Sequence, residues 1–309
     1  MARAAILRPA LAACVWLALA AAAPAQQQAA KPEAREKPRV EISADEGIEW
    51  DKIARVYVAR GNARVTRGEY TITADKVTAY YRETGGKNDV FRVDAEGNVR
   101  IASVDSIATG DKGVYDNDNK VARLTGRNLA ISNPDGRLTA RDSIELWDEK
   151  RYAVARGAVV LTRDNEEMRA DQMVAYFEPK DGSAPAPGAV ASKGKQRIAR
   201  VEALGHVYLA SCEGFAHADK GLYDPNTGTA VLTGNVRLTR GREQMNGETA
   251  EMNTRTGFTR LTGGRVTGLL EPNKEAAEPD PNPTGRPGAR PCGEPKPAGA
   301  APAAAQPKR

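Results

Sequence analysis

Most of what reactive chemistry uses is scarce in this chain. Among its 309 residues it has two histidines, three cysteines and only 5% aromatic residues. His206, Cys212 and His217 have no spacing that matches a zinc pattern, and His206 falls where the repeat described below elsewhere places Asn. There is no nucleophile elbow, phosphate loop or dinucleotide fingerprint. We therefore assign no catalytic residue, no metal and no cofactor. Basic residues are not clustered, as nucleic-acid binding would require; they alternate with acids, and the formal charge is only +5. No segment has helical periodicity. The longest apolar run, residues 10–23, is about 14 residues, short of the roughly 20 that span a bilayer as a helix.

That run does have a use. Arg3 and Arg8 precede it and Ala23-Pro24-Ala25 follows, which together read as a secretory signal peptide over residues 1–25. The Leu11-Ala-Ala-Cys14 stretch resembles a lipidation box, but Arg8 interrupts the apolar segment before it and most of the run lies after it. Residues 26–38 read as an unstructured linker. Residues 271–309 hold ten of the 19 prolines and almost no large apolar side chain, too little to offset the entropy of ordering. Between them lies one body, residues 39–270, with an insertion over 179–197. Export permits a disulfide, but Cys292 sits in the tail, so no structural bridge to Cys212 is expected.

The body repeats. One half-unit is a Gly followed by alternating apolar residues. It recurs from Gly61, Gly97, Gly157, Gly205 and Gly234, displaced by one at Gly126 and truncated at Gly264-Arg-Val266. The other half-unit centres on an acid: Asp75, Asp111, Asp142, Asp171, Asp219 and Glu248. Apolar residues at the second and fourth positions after each acid include Val77, Tyr115, Leu146, Met173, Tyr223 and Met252. Where the fourth is Tyr, the second is Gly. Alternation of this kind is the strand period with one apolar face. The phase changes at the acid, which predicts a bulge or corner there. Six acids in one structural position read as corner residues bonding their own backbone, not as catalytic pairs.

Seven Gly-strands, six acid-strands and an opening strand at Val40-Glu41-Ile42 predict roughly 14 strands. The fold class is all-β: a tandem-repeat antiparallel β-jelly roll, folded and open-ended, with turns at 116–120, 133–136 and 224–228. Its inward set comprises Val40, Ile42, Ala63, Val65, Ile72, Val77, Val99, Ile101, Tyr115, Leu146, Val159, Leu161, Met173, Val207, Leu209, Tyr223, Val236, Leu238 and Met252. These are modest side chains for a wide fold, which suggests an unfilled groove.

Ile42-Ser-Ala-Asp45, Ala74-Asp-Lys-Val77, Ala218-Asp-Lys-Gly-Leu-Tyr223 and Thr233-Gly-Asn-Val-Arg-Leu238 behind a cleavable signal resemble the OstA-like lipopolysaccharide-transport family, above all its periplasmic bridge members. The resemblance covers residues 38–270. It implies a periplasmic β-jelly roll that shields lipid A acyl chains in the groove lined by Val40, Ile42, Val65, Ile72, Val77, Ile101, Tyr115, Leu146, Leu161, Met173, Leu209, Tyr223, Val236 and Leu238. It also implies a head-to-tail homo-oligomer through edges at Val40, Glu41, Ile42, Leu261 and Val266. The chain would then pass lipopolysaccharide between inner-membrane and outer-membrane transport proteins. Two other readings stay open: a carbohydrate-active β-helix enzyme, and a structural cell-surface repeat protein without a lipid ligand.

Overall fold

The computed structural model describes residues 40–134, 136–163, 165–179, 196–212, 214–253 and 255–270. The expected signal peptide, linker and tail, and residues 180–195 of the insertion, lie outside them. All regular structure among the described residues is β. In chain order the strands are β1 (Val40–Ser43), β2 (Gly47–Asp51), β3 (Val56–Arg67), β4 (Tyr70–Thr84), β5 (Lys87–Ala102) and β6 (Ile107–Asp116). Then come β7 (Val121–Thr125), β8 (Leu129–Asn133), β9 (Gly136–Ala140), β10 (Ser143–Trp147), β11 (Tyr152–Arg163) and β12 (Glu166–Pro179). The last six are β13 (Gln196–Ser211), β14 (Gly214–Asp224), β15 (Thr229–Arg240), β16 (Glu243–Asn253), β17 (Thr259–Thr262) and β18 (Thr267–Leu269).

Eighteen strands replace the expected 14, and the reason is simple. Each pass of the chain crosses a corner at mid-length. Long strands bend through it unbroken, whereas β1/β2, β7/β8, β9/β10 and β17/β18 are single passes cut in two there. Every pass thus contributes to two legs. Leg 1 holds β2, β7, β10, β17 and the corresponding halves of the long strands; leg 2 holds β1, β8, β9, β18 and the other halves. All pairings are antiparallel within one folded sheet, and each end of each leg is a strand with a single described neighbour.

The corner has a repeated design. At Arg60/Ala63 the register shifts, so Gly61 and Asn62 together oppose the single Asp75. The shift recurs at each later Gly-strand that passes unbroken. The expected corner is at the Ala-Asp step, but the extra residue lies on the neighbouring Gly-strand. Gly97 (φ +76) shows why that residue is Gly: a Cβ there would collide with the Asp75 carboxylate. The next residue is also left-handed, with φ between 45 and 48 at Asn62, Asn98, Ala158, His206 and Asn235. Asn tolerates that region better than most side chains do.

The corner acids do not satisfy their own backbone. Three of them accept bonds from the next strand, from Asn98 to Asp75, Asn235 to Asp219, and the Arg127 N–H to Asp111 at 2.8 Å, whereas Asp142 pairs with the adjacent Arg141 guanidinium. That N–H holds the Asp111 carboxyl below the usual carboxylate range. At the C-terminal end the glycine against the acid is Gly263, beside Glu248, so the strand begins at Thr267 and not in the expected Gly264–Val266 segment.

Inside the corner, residues from both legs pack as one dry cluster, with a row of valines on the leg 2 side. Val99, Val159, Val207 and Val236 are at most 2% exposed, each contributing about 1.5–3 kcal/mol of burial. Volume alternates across neighbouring strands. Gly113 leaves room for the Leu124 side chain and Gly221 for Leu232, where an added Cβ would approach the Cδ2 to 3.3 Å in both cases. These glycines accommodate the adjacent strand's leucine rather than the tyrosine two residues on.

Candidate functional site: an apolar wedge

Because side chains alternate along every strand, each leg presents two inward rows at different depths. The row beside the corner is the vertex. In leg 1 it runs through Ala59, Val77, Ala95, Gly113, Leu124, Ile144, Ala155, Met173, Ala203, Gly221, Leu232 and Ala250 in direct register. One step further out is the wall. In leg 1 the wall includes Tyr57, Val93, Tyr115, Leu146, Val201, Tyr223 and Met252. In leg 2 it is an unbroken apolar row: Ile42, Val65, Ile72, Ile101, Ala108, Ile131, Leu138, Leu161, Met168, Leu209, Ala216 and Leu238.

The two rows differ in exposure, and that difference defines the site. Apolar vertex residues of both legs are buried and pack as one cluster. Nearly all wall residues of both legs are only half-buried, although they pack on that cluster. Two legs closed on each other would leave their inner walls as dry as their vertex. These walls retain accessible apolar surface along the length of the sheet, so the legs form a wedge. Tyr115 marks the space between them. Burial pushes its hydroxyl up, Asp148 acts in the same direction, and Arg67 from the opposite leg acts against both.

Most of the sequence-assigned residues fall on this wedge. Val65, Ile72, Ile101, Tyr115, Leu146, Leu161, Leu209, Tyr223 and Leu238 lie on its walls. Val77, Met173 and Val236 lie at the vertex, 4, 3 and 1% exposed, with almost no surface to offer. Val40 and Ile42 are exposed on β1, the terminal strand of leg 2. Glu41 is on the same strand. Leu261 is on β17 with its side chain against the core, while Val266 lies in no strand, between β17 and β18.

Several wall residues lie outside that set. Ile131, Leu138, Met168, Val93 and Val201 follow the same alternation, but in passes where the glycine phase is displaced or distant. At the first end of leg 1, Trp50 stacks on Tyr57 (5.7 Å between centroids), Tyr57 meets Tyr81 at 4.9 Å, and Trp50 Nε1 donates to the Tyr81 hydroxyl at 2.8 Å.

Outside the wedge, leg 1 has a depression of about 530 Å³ lined by Arg92, Val114, Asp116, Asn119, Val121, Arg123 and Trp147. Its one carboxylate, Asp116, accepts the Asn119 and Asp118 N–H groups; the Asn119 bonds hold it below its ordinary range. Such a group is a poor proton donor for glycoside cleavage. His206 is exposed, with Nδ1 2.8 Å from Asp171 Oδ2. No His, Cys, Asp and Glu cluster among the described residues could hold a metal. Cys212 is disulfide-bonded, contrary to expectation, and the other two cysteines of the sequence lie outside the described residues.

The family model "LptA/(LptD N-terminal domain) LPS transport protein" matches residues 41–142 and again 139–258. The chain belongs to this family. The second match starts at the corner that contains Asp142, so the body holds two tandem lengths of the family pattern. Val99, Gly113 and Leu124 recur as Val207, Gly221 and Leu232. A search of curated proteins finds no match. Among solved structures, one similar chain is the Pseudomonas aeruginosa protein LptH, described as the LptA-homologous periplasmic component of the conserved lipopolysaccharide transport device. It is 14% identical with a TM-score of 0.18, over 78% of this chain and all of that one. Those values are too low for any residue to be carried across.

Proposed function

We propose that this protein is a periplasmic lipopolysaccharide carrier that holds acyl chains in the wedge and stacks head to tail to bridge the inner- and outer-membrane transport machinery. The observation that carries this is the pairing of a dry vertex with half-exposed apolar walls along the length of the sheet. Each methylene exposed to water costs about 0.8 kcal/mol, so acyl chains need continuous cover. A wall of Val, Ile, Leu and Tyr supplies nonspecific contacts and no deep trap. Terminal strands that each have a single neighbour among the described residues support the stacking, since open edges normally invite pairing and strand addition is a common recognition mode. Head-to-tail contacts do not close, so they propagate into filaments.

The test is crosslinking. A photoreactive residue at Val65, Tyr115 or Tyr223 should capture lipopolysaccharide, and one at the outward Lys76, Lys112 or Lys220 should not. Equal labelling on both faces, or none anywhere, would favour a structural repeat protein instead.

A further inference from the structure

The wedge has two lips, one along the outer ends of each leg, and both carry cations, those of leg 1 at repeated positions. Five turns of leg 1 have the same length, spanning Asp51 to Val56, Asp116 to Val121, Trp147 to Tyr152, Asp224 to Thr229 and Asn253 to Phe258. In every one the fourth loop residue is left-handed. Two turns use Gly there, Gly228 (φ 72) and Gly257 (φ 71). The other three use Arg55 (φ 56), Lys120 (φ 53) and Arg151 (φ 56). A long side chain in this region is strained by about 1 kcal/mol or more, and Gly would relieve that strain at no cost to the turn. Strain of this kind, held at matching places, points to use.

The placement is regular. Arg55, Lys120 and Arg151 each lie two residues before a wall residue: Tyr57, Ala122 and Ala153. On the other lip, Arg67 lies two residues beyond the wall residue Val65, and it acts on Tyr115 from across the wedge. The acids of the first two cationic turns have other partners. Asp51 accepts the Ile53 and Ala54 N–H groups, Asp116 those of Asp118 and Asn119, and Asp118 takes both Arg82 Nη atoms. Arg55, Arg67 and Arg151 form no ion pair among the described residues, and Lys120 Nζ donates only to the neutral Asn117 side chain at 2.8 Å. Two acids, Asp148, whose N–H bonds the Lys120 carbonyl, and the exposed Glu149, share the turn of Arg151.

From this placement we propose that Arg55, Lys120, Arg151 and Arg67 bind phosphate groups on the sugar head of the lipid whose acyl chains occupy the wedge. The proposal rests on the lipid-carrier reading above and adds to it a polar half. Apolar walls with cationic lips match an amphiphile with acyl tails and a phosphorylated head, whereas a neutral lipid would leave the strained cations without purpose.

The decisive experiment uses the whole protein and two probes, phosphorylated lipid A and the same lipid with its phosphates removed. The wild type should bind the phosphorylated form at least about tenfold more tightly at low salt, and the advantage should shrink as salt screens it. A triple variant, Arg55→Gly, Lys120→Gly and Arg151→Gly, removes the charges while relieving backbone strain, so its Tm should not fall. It should lose most of the preference for phosphate and retain its affinity for the dephosphorylated lipid. Arg67→Gln should have the same direction of effect. If the triple variant binds phosphorylated lipid as tightly as the wild type, or the wild type binds both lipids equally, the lips are not a phosphate site and the carrier reading stands. If the wild type binds neither lipid, the carrier reading itself falls and this proposal falls with it.

Discussion

Asn98 donates its side-chain amide to both carboxylate oxygens of Asp75, at 3.1 and 3.0 Å, across the corner that joins two strands. The partners are 23 residues apart, and their geometry depends on Gly97 lying flat beneath the carboxylate. Gly97→Ala would combine a left-handed φ with a collision and should cost about 3 kcal/mol or more. Gly257→Ala, where φ is also left-handed but no atom lies within 4 Å, should cost only about 1 kcal/mol. Asn98→Ala should fall between them, at about 1–2 kcal/mol for an exposed bond to a charged group. Urea denaturation of the three variants checks the order; equal costs at Gly97 and Gly257 would mean that the acid does not clamp the corner.

His206 takes the place of that asparagine in one corner, and it introduces pH. Its bond to the Asp171 carboxylate raises its pKa above the ordinary value of 6.5. A group whose folded pKa is raised contributes stability that is fully present below the unfolded pKa and is lost as pH rises through the folded one. The wild type should therefore lose Tm relative to His206→Asn as pH is raised from about 5.5 to 8.5, because the amide bonds Asp171 at any pH. A Tm difference that stays constant across this range would sink the assignment.

The strand periodicity, the corner acids and the glycines beside them were legible from alternation alone, since these are local signals. Depth was not. Val77 and Tyr115 have the same inward parity, yet one is at the vertex and the other on a wall, because depth depends on distance from the corner along the strand. The partner of each acid was hidden for a related reason: a short Asp side chain can bond its own turn or a neighbour, and only the register decides. At the C-terminal end, two adjacent glycines made the phase ambiguous, and Gly263 rather than Gly264 meets Glu248. The four cut passes could not be distinguished from bent ones by composition.

The difference in depth can be measured on adjacent inward residues of β15. Val236 is 1% exposed at the vertex, so Val236→Asp would bury a charge without a partner and should cost about 4 kcal/mol or more, enough to unfold the domain. Leu238 is half-buried on the leg 2 wall. Leu238→Asp should leave a folded protein, with Tm lowered modestly, that no longer retains lipopolysaccharide in a pull-down. Unfolding by both variants would mean that the walls are as dry as the vertex and that the wedge is closed.

The terminal strands make the last prediction. β1 and β2 form one end of the two legs, β17 and β18 the other, and each has one described neighbour. Both ends expose apolar side chains, with Ile48 51% and Trp50 53% exposed at the first and Phe258 55% and Leu269 65% at the last. Joining the first end of one molecule to the last end of another would cover both sets and pair both free edges. Successive N–H groups of a strand point to opposite sides, so of Glu41→Pro and Ile42→Pro one removes a donor towards β3 and the other a donor towards the free edge. The free-edge variant should shorten the concentration-dependent oligomers seen by sedimentation while its Tm holds. The β3-side variant should lower Tm first, because it breaks pairing within the molecule. A wild type that stays monomeric at high concentration would rule out stacking through these edges.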